Sequence, residues 1–444
     1  MSEENTVAEE VPTRDRRSQS EHGVDRILYS DGFRRLGGVT QVIAVGEIPL
    51  FHNRLTHTLK VAQIARRLAE HLARAPGSDA RLAPWRGIDI AAAEAAGLAH
   101  DLGHPPFGHV GEAVLNEWCE GNGLDGFEGN AQTFRLVTKI LRRGPQTGLG
   151  LGLNPRTLNA LIKYPRMRPE GQRGPHQKWN AYPTEREAFD TARRGSPDGA
   201  QSLEAAVMDW ADDVTYAVHD LEDFLRAGRI PIARLLDTDG REMSRFVAAA
   251  TKQLAPKDPE FSPDFAERSF RTVAETFLSR SKHYRGGSDD LAALQQASGQ
   301  MINSFVSAVR VGPLDDPIDV PAQTKYAVKM LKQLIWFYVI HDPALATMQE
   351  GNRRLMAELF EDLMEWFPRA RREGEEYRVP KRLVDLWHMS DDEPDANAYR
   401  DRTARLARCV ADYIAMLTEA QVIDLHGRLR GRTGQSALDS WMAY

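Results

Sequence analysis

Three histidines and one aspartate fall within ten residues of this 444-residue chain, in the run His100-Asp101-Leu102-Gly103-His104-Pro105-Pro106-Phe107-Gly108-His109. Neutral imidazole nitrogens and carboxylate oxygens are good ligands for divalent first-row metals. Cores seldom hold so many imidazoles without partners. Two adjacent ligands at a helix end cannot complete a metal shell, so further donors must come from other helices. His57 is one candidate, near the start of an amphipathic helix in Arg54-Leu55-Thr56-His57. Asp212 is the other, within Asp209-Trp210-Ala211-Asp212-Asp213-Val214-Thr215-Tyr216. On a helix, Asp212, Tyr216, Asp220 and Asp223 share one face, while Asp213 is turned away by about 100°. Asp212 is therefore the expected ligand, and Asp213 a supporting or solvent-facing residue. The alternatives are hydrogen-bonded core histidines and a solvated acidic helix face.

The elements that must position these groups read as almost wholly helical. Arg54–Arg74 carries Leu55, Leu59, Ala62, Ala65, Leu68 and Leu72 at helical spacing. Ile88–Leu102 is rich in alanine and is expected to stop at Gly103 as a C′ glycine, with Pro105-Pro106 blocking continuation. A third helix can run from near His109 to about Cys119, followed by a glycine-marked loop. Residues 144–200 are rich in Gly, Pro and Arg and read as a long irregular insertion. Helical pattern resumes over Leu203–Leu225, Thr324–Ile340 and Asn352–Phe367, and Val39–Ile48 is the one stretch that could form a small hairpin. The expected class is all-α. The expected organisation is a disordered arm over 1–22, a catalytic core over 23–230 that includes the insertion, and a helical C-terminal region over 231–444 packed on that core.

Composition excludes several alternatives. With 42% hydrophobic and 27% charged residues and a net charge of −6, nothing global advertises affinity for nucleic acid or membranes. Two distant cysteines, Cys119 and Cys409, exclude a disulfide framework or thiolate zinc site and fit a reducing cytoplasm. The polar first 22 residues hold no targeting signal, and the apolar run Leu334–Ile340 is too short to span a bilayer and reads as a buried helix segment.

The order His57, His100-Asp101, Asp212 resembles the H…HD…D pattern of the HD-domain phosphohydrolases. More narrowly, the chain resembles the dGTPase and dNTP triphosphohydrolase family. The matching stretches are Phe33-Arg34-Arg35-Leu36, Thr40-Gln41-Val42, Arg54 to Val61, Ala99 to His109, Phe127 to Gln132, Ala211 to Asp223, and Asp412 to Thr418. Together they span roughly residues 25–430. An isolated His-Asp pair signals little, but this ordered set is specific.

The resemblance implies an HD-domain helical bundle in which His57, His100, Asp101 and Asp212 hold one divalent cation. Manganese or magnesium is expected first, and the donor set also admits iron, zinc, cobalt or nickel. It implies hydrolysis of a deoxynucleoside triphosphate, with water attacking the α-phosphorus to release deoxynucleoside and intact triphosphate. His109 and Glu112, three apart on a helix, would form the acid–base unit, with His104 binding phosphate or transferring a proton. Arg54 would contact phosphate, Tyr216 and Asp220 would approach the sugar, and Gln41 the sugar or base. In the insertion, Lys163-Tyr164-Pro165 and Lys178-Trp179 could serve phosphate and base, or pack the loop.

Some positions depart from the family pattern. Val39 stands where many bacterial relatives carry lysine, and Phe51-His52-Asn53-Arg54 is closer to the mammalian SAM-and-HD-domain enzyme. No recognisable SAM domain precedes the catalytic region, so nucleotide activation is not carried over. A homo-oligomer is expected from the family alone. The competing readings are another phosphoester substrate at the same metal site, and a nucleotide-sensing or single-stranded-DNA-binding protein.

Overall fold

Ser18 fixes where the first helix begins. Its hydroxyl accepts the Glu21 N–H and the Glu21 carboxylate accepts the Ser18 N–H, a capping box that opens helix α1 (Gln19–Leu28). Residues 19–22, expected in the polar arm, are therefore helical. The computed structural model describes residues 15–41, 52–144, 148–168, 178–279, 284–340, 342–391 and 399–432.

Asn53 caps the next long helix, α2 (Arg54–Arg74), by accepting the Thr56 N–H. α2 buries Val61, Ile64 and Leu68 as well as Ala62, Ala65 and Leu72, whereas Leu59, expected in its apolar stripe, is exposed. α3 (Ile90–Ala99) packs against α2, and the crossing is tight. A Cβ on Gly97 would stand 2.6 Å from Ala62 Cα, so only glycine allows that approach. α3 ends with His100 as its cap, short of the expected Leu102. Gly103 is needed for a different reason from the one its sequence position suggests. It does not lie in the left-handed region, but a Cβ there would meet Thr133 N at 2.2 Å and Gly129 O at 2.3 Å.

α4 (Gly108–Gly121) and α5 (Gly129–Arg135) follow. The insertion, irregular over much of its described length, carries two short helices, Pro155–Ala160 and Arg186–Arg193. α6 (Leu203–Thr215), capped by Ser202, packs on α2 and α3. The helix expected to run unbroken to Leu225 contains a wide π turn over Tyr216–Asp220 before continuing as α7 (Leu221–Arg226).

In the C-terminal half, α8 (Ala322–Ile335) also passes into a π turn, Trp336–Ile340. That turn leaves Trp336 exposed, although the run Leu334–Ile340 was expected to be buried. α9 (Pro343–Arg372), α10 (Arg402–Ala415) and α11 (Glu419–Leu429) complete the elements that matter for the site. Strand is confined, among the described residues, to the antiparallel pair Arg310–Val311 and Ile318–Asp319 and an isolated Thr40–Asn53 bridge. The expected Val39–Ile48 pairing lies largely outside the described residues.

Two large cores hold the molecule, and both draw on both halves of the chain. One joins α1, α3 and α4 to Met356–Phe367 of α9, to α10 and to Val422 and Leu425 of α11. The other joins α2 and α6 to helices spanning Met243 to Val339. Cys119 and Cys409 are both buried, and neither is in a disulfide. No helix among the described residues is long and apolar enough to cross a membrane.

Candidate active site

The site forms where the start of α2, the end of α3 and the middle of α6 converge. His57 lies in the first turn of α2, His100 caps α3, Asp101 follows it, and Asp212 lies one turn before the end of α6. His57, His100 and Asp101 offer donor atoms that all lie within 4.8 Å of one another. Asp212 Oδ1 stands 3.1 Å from His57 Nε2 and 3.7 Å from His100 Nε2. Asp213, by contrast, pairs with Lys332 at 2.5 Å.

The donor set fits a divalent cation. His100 Nδ1 lies 2.8 Å from the Gly97 carbonyl, which places its proton there and leaves the Nε2 lone pair free. That Nε2 is buried without a hydrogen-bond partner, an arrangement that is unfavourable unless something binds it. Burial lowers the proton affinity of His57, so the imidazole is a neutral ligand near pH 7. Burial alone would raise the Asp101 and Asp212 carboxyls. Neighbouring cations, Arg54 for Asp101 and Lys163 for Asp212, instead hold both well below the usual range.

Around this centre stand three cations or potential cations. Arg54 Nη1 donates to Asp101 Oδ2 at 2.6 Å. Lys163 Nζ donates to Asp212 Oδ2 at 3.0 Å and pairs with Asp209 at 2.8 Å. His104 Nδ1 lies 3.0 Å from Asp101 Oδ1, and burial drives its proton affinity down to about 4, so it is neutral at pH 7. Any phosphate contact it makes is therefore a hydrogen bond and not an ion pair.

A second pair lies beside the first on α4. His109 Nδ1 and Glu112 Oε2 are 2.9 Å apart, and the His109 ring stands edge-on to His104 with centroids 5.8 Å apart. His109 is three-quarters exposed while Glu112 is buried, so the imidazole faces the open side of the site. Tyr216 and Asp220 flank the π turn. Burial, with Asp223 and Asp212 nearby, raises the Asp220 carboxyl well above its usual range, and its Oδ2 has no partner. Gln41 follows the Thr40–Asn53 bridge, and its Oε1 is also buried without a partner.

Residues that the sequence did not single out brace the catalytic loop. Phe107 adopts a left-handed conformation, φ 63°, unusual for a bulky side chain. Glu419, the first residue of α11, accepts the Phe107 N–H at 2.9 Å and the Thr40 N–H at 2.8 Å. Buried Arg35 donates to the carbonyls of Leu102, His104 and Leu417. Thr133 of α5 accepts the Gly103 N–H and donates to the His100 carbonyl. Glu419 and Arg35 lie far in sequence from the loop they hold, and although Arg35 falls in a family-like stretch, neither was assigned this role.

Comparison with known proteins agrees with this geometry. An HD domain model matches residues 54–217, and a phosphohydrolase-associated domain model matches residues 318–428. The chain thus carries an HD domain followed by a phosphohydrolase-associated domain. It is 36% identical to a deoxyguanosinetriphosphate triphosphohydrolase-like protein of Streptomyces coelicolor, over 91% of each chain. Proteins of the same description from Corynebacterium glutamicum and Vibrio vulnificus are 31% and 30% identical, over 88% and 94% of this chain and 91% and 93% of theirs. The chain belongs to this family of deoxyguanosinetriphosphate triphosphohydrolase-like HD proteins.

Proposed function

We propose that the protein hydrolyses deoxynucleoside triphosphates to deoxynucleoside and intact triphosphate. The observation that carries this reading is the adjacency of two units: the four-donor centre of His57, His100, Asp101 and Asp212, and the His109–Glu112 pair at 2.9 Å. When bound in the four-donor centre, a divalent cation supplies Lewis-acid polarisation and neutralises phosphate charge. Manganese and magnesium are the first to test, with iron, zinc, cobalt and nickel beside them.

The chain's own residues supply the rest. Glu112 accepts the Nδ1 proton of His109, which leaves Nε2 as the base facing the open side of the site. His109 takes a proton from water as its oxygen attacks the α-phosphorus. The bond from phosphorus to the 5′ oxygen breaks, and the proton held by His109 is the one the departing alkoxide needs. Arg54 and Lys163 bring cationic donors to the phosphates. Tyr216, Asp220 and Gln41 line the sugar and base end, where a tyrosine ring leaves little room for a 2′-hydroxyl.

The test is a product assay. The protein is incubated with each of the four dNTPs and with GTP across the metal panel, and nucleosides, nucleotides and phosphates are separated by chromatography. Deoxynucleoside with equimolar triphosphate is the expected result. Orthophosphate or pyrophosphate as the phosphate product would overturn the reading in favour of another phosphoester hydrolase.

A further inference from the structure

Lys178 emerges from the insertion beside the acid–base pair. Its Nζ donates to Glu112 Oε1 at 2.9 Å and pairs with Glu128 Oε1 at 3.0 Å. The same Glu112 oxygen accepts the Gly129 N–H at 3.0 Å. Oε1 is thereby committed, and Oε2 is left to His109. The lysine is itself well anchored. Trp179, the next residue, is buried in a small cluster with Ala131 and Tyr182, and Arg168 stacks over its ring at 4.8 Å. The Lys178 carbonyl accepts Arg166 Nε at 2.9 Å. Glu128 is fixed in turn as the cap of α5, accepting the Asn130 and Ala131 N–H groups.

We propose that Lys178 is a positioning residue for the His109–Glu112 pair and not a substrate contact: it locks the Glu112 carboxylate so that one defined oxygen orients the imidazole. The proposal rests on the reading of His109 as the acid–base group. The position also has an electrostatic consequence. Among the described residues, the groups facing Glu112 are His109 and His104 from α4 and the loop before it, the Gly129 amide and Glu128 from the start of α5, and Lys178 from the insertion. Lys178 is the one permanent cation among them. With it present, the negative charge that Glu112 presents to the imidazole is partly cancelled. Without it, Glu112 and Glu128 face each other uncompensated, and a proton on His109 becomes the nearest available positive charge.

The experiment compares wild type, Lys178→Met and Lys178→Arg by NMR titration of the His109 ring, assigned with His109→Gln, alongside kcat and KM against pH. In Lys178→Met the His109 midpoint is expected to rise by about one pH unit. The acidic limb of kcat/KM should move up with it, and kcat should fall about tenfold with KM nearly unchanged. Lys178→Arg should restore both the midpoint and the limb. A His109 midpoint unchanged in Lys178→Met overturns the proposal, as does a raised KM with unchanged kcat, the mark of a phosphate contact. The ring titration needs no substrate. It therefore decides the positioning role even if the product assay goes against dNTP hydrolysis.

Discussion

At the scale of single residues, the four proposed ligands and the proposed catalyst are separable by metal content. His57→Ala and Asp212→Ala should each lose the cation and activity together, whereas His109→Ala should keep the cation and lose turnover. Elemental analysis of the purified variants reads this directly, and equal metal loss in all three would remove His109 from the catalyst role. Asp213→Ala should retain metal, because that carboxylate faces Lys332. A second residue-scale prediction concerns Asp220. Its carboxyl is raised well above its usual range by burial and by Asp223 and Asp212. The folded state therefore holds a proton that the unfolded chain releases near pH 4, and stability falls as pH rises through the interval between the two. Asp220→Asn should accordingly stabilise the metal-free protein more at pH 8 than at pH 5, which thermal unfolding at the two pH values will show. The same variant should weaken substrate binding if Asp220 meets the sugar. The four candidate ligands could be picked out in the sequence because His and Asp are good donors for divalent cations, and the fold brings them together. Glu419 and Arg35 could not, because a carboxylate or guanidinium that binds backbone groups leaves no spacing to recognise.

At the scale of elements, helix content was legible from apolar spacing, but helix ends and wide turns were not. The π turn at Tyr216–Asp220 interrupts a segment whose pattern reads as continuous. A one-residue bulge changes the facing of everything after it without changing composition. Leu59 shows the same limit, since it fits the stripe on α2 and yet is exposed where no element covers it. Gly103 was noticed for its position after α3, while its need arises from α5, which approaches from another part of the chain. Gly103→Ala would force a Cβ against the Thr133 amide and the Gly129 carbonyl, in the helix whose Thr133 hydroxyl accepts the Gly103 N–H. We expect this substitution to abolish metal retention and to lower the unfolding temperature sharply, measurable by elemental analysis and calorimetry. Glu419→Ala is the gentler probe of the same brace. It strips the carboxylate from the buried Phe107 amide and the partly buried Thr40 amide, a loss of about 1–3 kcal/mol. It frees Phe107 from its left-handed conformation, so kcat should fall although Glu419 touches no proposed substrate atom.

At the scale of the whole molecule, a buried ionic network ties the C-terminal helices to the site. Arg135 of α5 pairs with Asp412 of α10 at 2.9 Å and with Glu185 of the insertion at 2.8 Å, all three fully buried. Gln132 donates to the other oxygen of Asp412 at 2.9 Å. Removing one partner of such a set leaves a charge stranded in the interior. Asp412→Ala should therefore destabilise the protein by about 3–5 kcal/mol, which a denaturant titration will measure. The expected organisation was a catalytic core over 23–230 with a C-terminal region over 231–444 packed on it. It did not anticipate that both cores would be shared between the two halves.

That sharing bears on how the molecule is made. All four metal donors have been synthesised once residue 212 has left the ribosome, yet the carboxylate that supports Phe107 arrives with Glu419, roughly 200 residues later. Until then the nascent chain displays apolar faces of α1, α3 and α4 whose partners in α9, α10 and α11 have not been translated. The proposed metal centre is therefore fully braced only after Glu419 has been made.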